Sequence, residues 1–134
     1  MAKESGVGLT ATIDDHSGSG QALTDDFTNI QVATPQNVQV ITGLADTTEE
    51  RLLLLRDASM TLNGVFDDAS NMSHAVFKTV TTTGASRTSV FAHSGQTLTL
   101  EMMLTDYPLS RAADGSLTFA VPGVLANQTA FGWS

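Results

Sequence analysis

The sequence predicts a mainly β chain: an antiparallel β-sandwich or partial barrel with one or two short flanking α-helices. Three observations predict it. Apolar and polar residues alternate in several short stretches, the period of a half-buried strand. Clusters of Gly, Asp, Asn and Ser punctuate those stretches as turn signals. Only two segments carry helix signals, and both are short. The length of 134 residues suits one domain, 1–134, around one core.

The first strand is predicted over Val7 to Ile13, where Val7, Leu9, Ala11 and Ile13 alternate with Gly8, Thr10 and Thr12. From Asp14 the alternation stops, and DDHSGSGQALTDD reads as a long loop. A loop of that length in a small domain is commonly functional. Residues 1–28 are therefore expected to form an N-terminal strand and contact arm, with Asp14, Asp15, His16, Asp25 and Asp26 as candidate contact residues.

Asn29 to Ala33 places Ile30 and Val32 on one face, and Asn37 to Thr42 places Val38 and Val40 on one face. Pro35-Gln36 between them predicts a hairpin connection. In ADTTEERLLLLRDAS, Asp46 or Thr47 can cap a short helix with Glu49 and Glu50 in its first turn and Arg56 in its last. The helix is favoured there, although four consecutive leucines also fit a buried strand. Met60 to Phe66 reads as one strand with Gly64 marking a bulge, although Asn63-Gly64 is also a favoured hairpin turn. After Asp67-Asp68, NMSHAVFKTV reads as a helix capped by Ser70 or Asn71, with Met72, Val76, Phe77 and Val80 as its apolar stripe.

Arg87 to Ala92 and Gln96 to Thr105 flank the compact turn His93-Ser94-Gly95. In the second of these strands Leu98, Leu100, Met102 and Leu104 share one face, and Thr97, Thr99, Glu101 and Thr105 the other. Leu117 to Val121 is the last predicted strand, with Ala113-Asp114-Gly115 before it and Pro122-Gly123 after it. Residues 123–134 read as a C-terminal arm whose apolar content requires cover, so Phe131 and Trp133 are candidate contacts with a neighbour or with the domain itself. Phe66, Phe77, Phe91 and Phe119 are core by default.

Composition narrows the function. Fourteen acidic against six basic side chains give a net charge of −8, which repels phosphate backbones and anionic membranes. There is no cysteine, which excludes disulfides and thiolate metal sites. The start MAKESGVG lacks the apolar stretch of a secretory signal, and the longest apolar run, Leu52 to Leu55, is far below the ~20 residues that span a bilayer. Synthesis and first action in the cytoplasm are expected.

Chemistry-bearing patterns are few. Asp14-Asp15, Asp25-Asp26 and Asp67-Asp68 match no calcium-loop pattern, and neighbours in an extended strand point to opposite faces. His16, His74 and His93 lie at no metal-ligand spacing. No G-x-S-x-G elbow and no phosphate-cradling loop occurs. The expectation is no catalytic residue, no cofactor and no metal. A small acidic β-domain of this kind is expected to satisfy its strand edges by joining copies of itself, with a polar strand face toward any shared cavity. Thr97, Thr99 and Glu101 offer such a face.

The stretch from Val40 to Trp133 resembles the major tail (tube) proteins of long-tailed siphophages, especially those infecting actinobacteria. The resemblance rests on ERLLLLRDASMTLNGVFDDA, on SHAVFKTV, on SGQTLTLEMMLTDYPLSRAADGSLTFAVPG and on the closing FGW. It implies a virion structural protein with a phage tail tube-like fold. Hexameric rings would stack helically into a tail tube that conducts DNA without binding it specifically. It also implies tape-measure, tail-terminator and distal tail proteins as partners, and no membrane. By carry-over, Asn37, Gln39 and Arg87 join Thr97, Thr99 and Glu101 as lumen-facing candidates. The helix residues His74 and Lys78 join the inter-subunit or inter-ring candidates. At this length no added immunoglobulin-like domain is expected. A head-tail joining, tail-terminator or decoration protein is the alternative reading.

Overall fold

A computed structural model describes residues 5–82, 86–126 and 131–134. The strands are β1 (Thr10–Asp14), β2 (Gly20–Ala22), β3 (Phe27–Ala33), β4 (Gln36–Val40), β5 (Arg51–Arg56), β6 (Ser59–Val65), β7 (Arg87–His93), β8 (Gln96–Leu104), β9 (Leu109–Arg111), β10 (Leu117–Leu125) and β11 (Gly132–Trp133). One helix, α1 (Ser73–Phe77), and a 3-10 turn, Thr24–Asp26, complete the described elements. The architecture is mainly antiparallel β, as the alternating pattern predicts.

The main sheet runs β2-β1-β7-β8-β10-β6-β3, with β11 paired to β8 and β9 to β10. Its two ends are tied together. Leu23 N donates to Ala11 O and Ala11 N to Thr24 Oγ1, so the 3-10 turn that leads into β3 is fastened to β1. The sheet therefore curls into a partial barrel. Ile13 from β1, Leu62 from β6, Leu100 and Met102 from β8, and Val121 from β10 are fully buried in one cluster. Phe77 of α1 packs against Phe119, Tyr107 and Phe27, with ring centroids 5.4, 5.8 and 6.3 Å away.

Gly64 is fixed by close approach. A Cβ there would lie 2.3 Å from Asp26 O and 2.7 Å from the Phe119 ring. The register between β3 and β6 shifts at Phe27/Asn29, opposite Asn63 and Gly64, so the irregularity belongs to β3. Residues 59–65 form one strand and not a hairpin.

Several expectations are corrected. Residues 51–56 form β5 and not a helix, paired with β4 through Val38↔Leu53, Gln39↔Leu52 and Val40↔Arg51. Pairing satisfies the backbone there, whereas a helix of this length is marginal without a packed face. Nor is β5 the buried strand that four leucines suggest, since all six residues are exposed. Pro35-Gln36 makes no hairpin: β3 pairs with β6, and the chain runs on from β3 into β4. Ala33↔Ser59 is followed by Asp57 N donating to Pro35 O and then by Gln36↔Arg56.

The 14–26 segment is no open loop but a β1–β2 hairpin followed by the 3-10 turn. The second helix is shorter than its apolar stripe suggests, starts at Ser73, and takes no cap from Ser70 or Asn71. β10 continues through Pro122-Gly123 to Leu125. Pro122 falls between the stretch paired with β9, 117–119, and the stretch paired with β8, 123–125, where it gives no N–H while its carbonyl accepts from Thr105 N. Residues 109–111, outside every predicted strand, form β9.

Candidate assembly surfaces

The outer face of β1, β7 and β8 is rich in threonine, with Ala92, Val90 and Met103 as its apolar members. Ala11 and Ile13 of β1 point inward, which leaves Thr10 and Thr12 outward. Register aligns these with Ala92 and Val90 of β7, which in turn face Thr97 and Thr99 of β8. Thr88 Oγ1 donates to Glu101 Oε2 at 2.7 Å, holding the one carboxylate of β8 against the neighbouring strand. Thr97, Thr99 and Glu101 thus share one surface with Thr10, Thr12 and Thr88. Asn37 and Gln39 are exposed but lie on β4, outside the main sheet.

Arg87 does not reach any surface. It is 1% exposed, and its guanidinium donates to Val76 O and, at 2.8 Å, to Thr79 Oγ1. Burial pulls its pKa below the ordinary value, opposed by the fields of Asp15 and Asp14. Position 87 falls on the inward side of β7 with Ser89 and Phe91, so the strand period that puts Thr88 outside puts Arg87 under α1. The lumen-facing expectation for Arg87 is corrected: it is a structural cation that fastens the Val76 carbonyl and the Thr79 hydroxyl to the sheet.

Asp26 is likewise corrected as a contact residue. It is 4% exposed, and its Oδ2 accepts from Ser73 N at 2.9 Å, capping α1 from 47 residues away. Burial raises its pKa above the ordinary carboxylate value, and the nearby Asp67 carboxylate raises it further, against the Ser73 N–H. Asp67 in turn accepts Ala69 N at Oδ1, and its backbone oxygen accepts His74 N. His74 is half-buried between Phe66 (centroids 4.6 Å apart) and Tyr107, whose hydroxyl lies 3.2 Å from Nδ1. Lys78, at the end of the helix, is exposed.

The β1–β2 turn is built by one side chain. Asp15 Oδ1 accepts from Ser17 N, Ser17 Oγ and Ser19 N at 2.9, 2.7 and 3.0 Å, and Oδ2 accepts from Gln21. These bonds, led by the Ser17 hydroxyl, lower its pKa to about 2. Asp14 is half-exposed beside it, while His16 and Asp25 are exposed. At the other end of the chain, β11 pairs with β8 through Gly132↔Thr99 and Trp133↔Leu98. Phe131 packs on the core, but the Trp133 ring is 64% exposed beside an open cleft formed by Thr34, Gln36, Arg56 and Leu98. The backbone of the tail tucks onto its own sheet, and the Trp133 side chain stays exposed. Residues 127–130 of that arm lie outside the described residues.

The β4–β5 ribbon is the surface the sequence did not reveal. Leu52, Leu53, Leu54 and Leu55 are all exposed, as are Val38, Val40, Ile41 and Leu44. Among the described residues, no three His, Asp or Glu side chains converge as metal ligands, and no helix is long and apolar enough to cross a membrane.

No protein-family model and no curated protein matches the sequence. Solved structures do match it. A chain from the tail of an empty gene transfer agent particle, computed with helical refinement and C6 symmetry, superposes with a TM-score of 0.78. That likeness covers 98% of this chain and 99% of the other at 20% identity. The fold is shared end to end. A chain from the virion of the native gene transfer agent particle gives 0.78 at 16% identity over 98% and 99% of the two chains. A chain from the sixfold-symmetrised baseplate of the anti-feeding prophage gives 0.73 at 12% identity over 100% and 97%.

Proposed function

We propose that this chain is a structural subunit of a phage-like tail tube, six copies closing a ring and rings stacking about a hollow axis. The observation that carries the reading is the end-to-end likeness to a chain in a C6-symmetric tail. The likeness covers 98% of this chain and 99% of the other, so it concerns the whole arrangement of strands and not one shared motif. The long-tailed, siphophage form of the tube, closest to those of actinobacteriophages, is supported by the sequence motifs alone. On this reading the protein ends in the virion tail after assembly in the host cytoplasm, alongside tape-measure, tail-terminator and distal tail proteins.

The threonine carpet on β1, β7 and β8 is the best candidate for the lumen wall. A channel for DNA needs a face without bulky apolar groups to bind bases and without cations to hold phosphates. Thr10, Thr12, Thr88, Thr97 and Thr99 meet both needs over most of the face, where Val90 and Met103 are the larger apolar groups, and Glu101 adds a charge that repels phosphate. The acidic chain strengthens that effect, since six copies at −8 carry −48. Salt confines such repulsion to about 8–10 Å, a distance comparable to the gap between a duplex and a close-fitting wall.

Electron microscopy of the purified protein tests the reading. Polymers with an axial hole and sixfold end views are expected. Isolated rings that never stack would favour a head-tail joining or tail-terminator role, and a permanent monomer would remove the reading altogether.

A further inference from the structure

Among the described residues, every hydrogen bond between segment 67–82 and the barrel runs through a side chain. The backbone bonds of the segment stay inside it, as from His74 N to Asp67 O, Lys78 N to His74 O and Thr82 N to Thr79 O, and none reaches a strand. Its links to the body are few. Asp26 Oδ2 accepts from Ser73 N at 2.9 Å, and Ser73 Oγ donates to Val65 O at 3.1 Å. Arg87 donates to Val76 O and, at 2.8 Å, to Thr79 Oγ1, while the His74 ring lies 3.2 Å from the Tyr107 hydroxyl. A five-residue helix has no stability of its own, so these links and the buried Val76 and Phe77 side chains hold α1 in place.

We propose that residues 67–82 form a strap that opens from the barrel as one unit, with the Asp26 carboxyl as its proton-operated catch. Buried groups from distant parts of the chain clasp both ends of α1. Asp26 holds its first N–H and Arg87 holds the Val76 carbonyl near its end, the polarity that a helix dipole favours. Neither has an opposite charge in contact, since Arg51–Glu49 is the one ion pair among the described residues. Around Asp26 stand Asp25 beside it, Asp67 and Asp68 after β6, and His74 on α1. Asp25 and Asp68 are exposed, and His74 turns its ring to Phe66 and Tyr107. Asp67 is therefore the charge that faces Asp26. Arg87, at the far end of the strap, feels Asp15 and Asp14.

With its proton, Asp26 is neutral beside Asp67 and the catch is closed. Without it, two like charges share the start of α1, and one of them is a carboxylate cut off from water. Opening relieves both while leaving every strand ladder intact, so it is a local event and not global unfolding. It uncovers Val76 and Phe77 and lets water reach Arg87. Burial and Asp67 hold the Asp26 pKa above its ordinary 3.8. The clasp is therefore firmest below that value and loosens as pH rises through the folded pKa. No partner molecule enters, so the strap is independent of the tail-tube reading.

The test is amide exchange on the full chain, followed by NMR from about pH 4 to about pH 8 and expressed as protection factors, which remove the intrinsic pH dependence. The amides of Val76, Lys78 and Val80 should share one protection factor, about tenfold or more below those of Leu62 and Phe91 in doubly paired strands. That shared factor should fall as pH rises in the parent. It should stay level in Asp26→Asn, which keeps an acceptor for Ser73 N–H and cannot ionise. Protection equal to that of Leu62 and Phe91 would show opening only with the whole fold and overturn the strap. Unrelated factors along 73–80 would do the same. An identical pH response in parent and variant would overturn the catch. The carboxyl carbon resonance of Asp26 in the parent gives a second reading should Asp26→Asn misfold. Its titration midpoint is expected to coincide with the fall in protection and to move down in Asp67→Asn. A midpoint away from that fall, or unmoved in Asp67→Asn, overturns the catch.

Discussion

Strands β8 and β5 are both rich in leucine, yet they end in opposite environments. In β8, QTLTLEMML, every second side chain is polar or exposed, and Leu98, Leu100, Met102 and Leu104 are buried against the core. In β5, RLLLLR, no polar residue interrupts the leucines, and none of them is buried within the chain. Alternation marks a strand with one dry side and one wet side. Its absence marks a strand that needs apolar cover on both sides, and here the chain supplies cover on neither.

The sharpest way to break this contrast is to make the same cut in both strands. Leu100→Ala is expected to cost about 4 kcal/mol of stability, because a fully buried side chain leaves a cavity. Leu53→Ala should change monomer stability by no more than about 0.5 kcal/mol. Urea unfolding of both variants checks this, and equal losses would mean that the ribbon belongs to the core. Next in size is Gly64→Ala, expected to cost about 3 kcal/mol because its Cβ meets backbone at Asp26 and the Phe119 ring. A melt unchanged from the parent would contradict the close approach between β6 and the turn before β3.

Asp26 sharpens the comparison from the body's side, since burial lets a single proton matter there. Its folded pKa is raised above the ordinary 3.8, so its contribution to stability is complete below that value and is lost as pH rises through the folded pKa. Asp26→Asn keeps an acceptor for Ser73 N–H and cannot ionise. Its melting temperature should fall less than the parent's from about pH 4 upward. Parallel pH curves would show that Asp26 does not titrate in the folded protein. The smallest effect is expected at Asp15, whose pKa of about 2 gives the opposite sign. Its contribution is present above 3.8 and fades as pH falls through about 2. Asp15→Ala should speed amide exchange at Ser17 and Ser19 while leaving the global melt nearly in place.

The body was largely legible in the sequence because burial there follows strand period. Alternation in 96–105 assigned inward and outward residues correctly, and the apolar stripe of 72–80 found Val76 and Phe77. What the sequence concealed depended on distant partners. Asp26 reads as half of a solvated acidic pair until Ser73, far along the chain, is brought to it. Arg87 reads as an ordinary strand cation, and only the Val76 carbonyl and Thr79 hydroxyl above it explain its burial. The ribbon was misread as a helix because acids before and an arginine after the leucines imitate a helix's end charges. Strand pairing with 36–40 cannot be seen in a local window. A signal was present nonetheless: Leu52, Leu53, Leu54 and Leu55 occupy too wide an arc for a short surface helix with one dry side.

One experiment tests the assembly reading: cryo-electron microscopy of polymers grown from the purified chain. The expected map has sixfold symmetry and an open axis lined by Thr97, Thr99 and Glu101. A polymer without an axial channel would contradict the account.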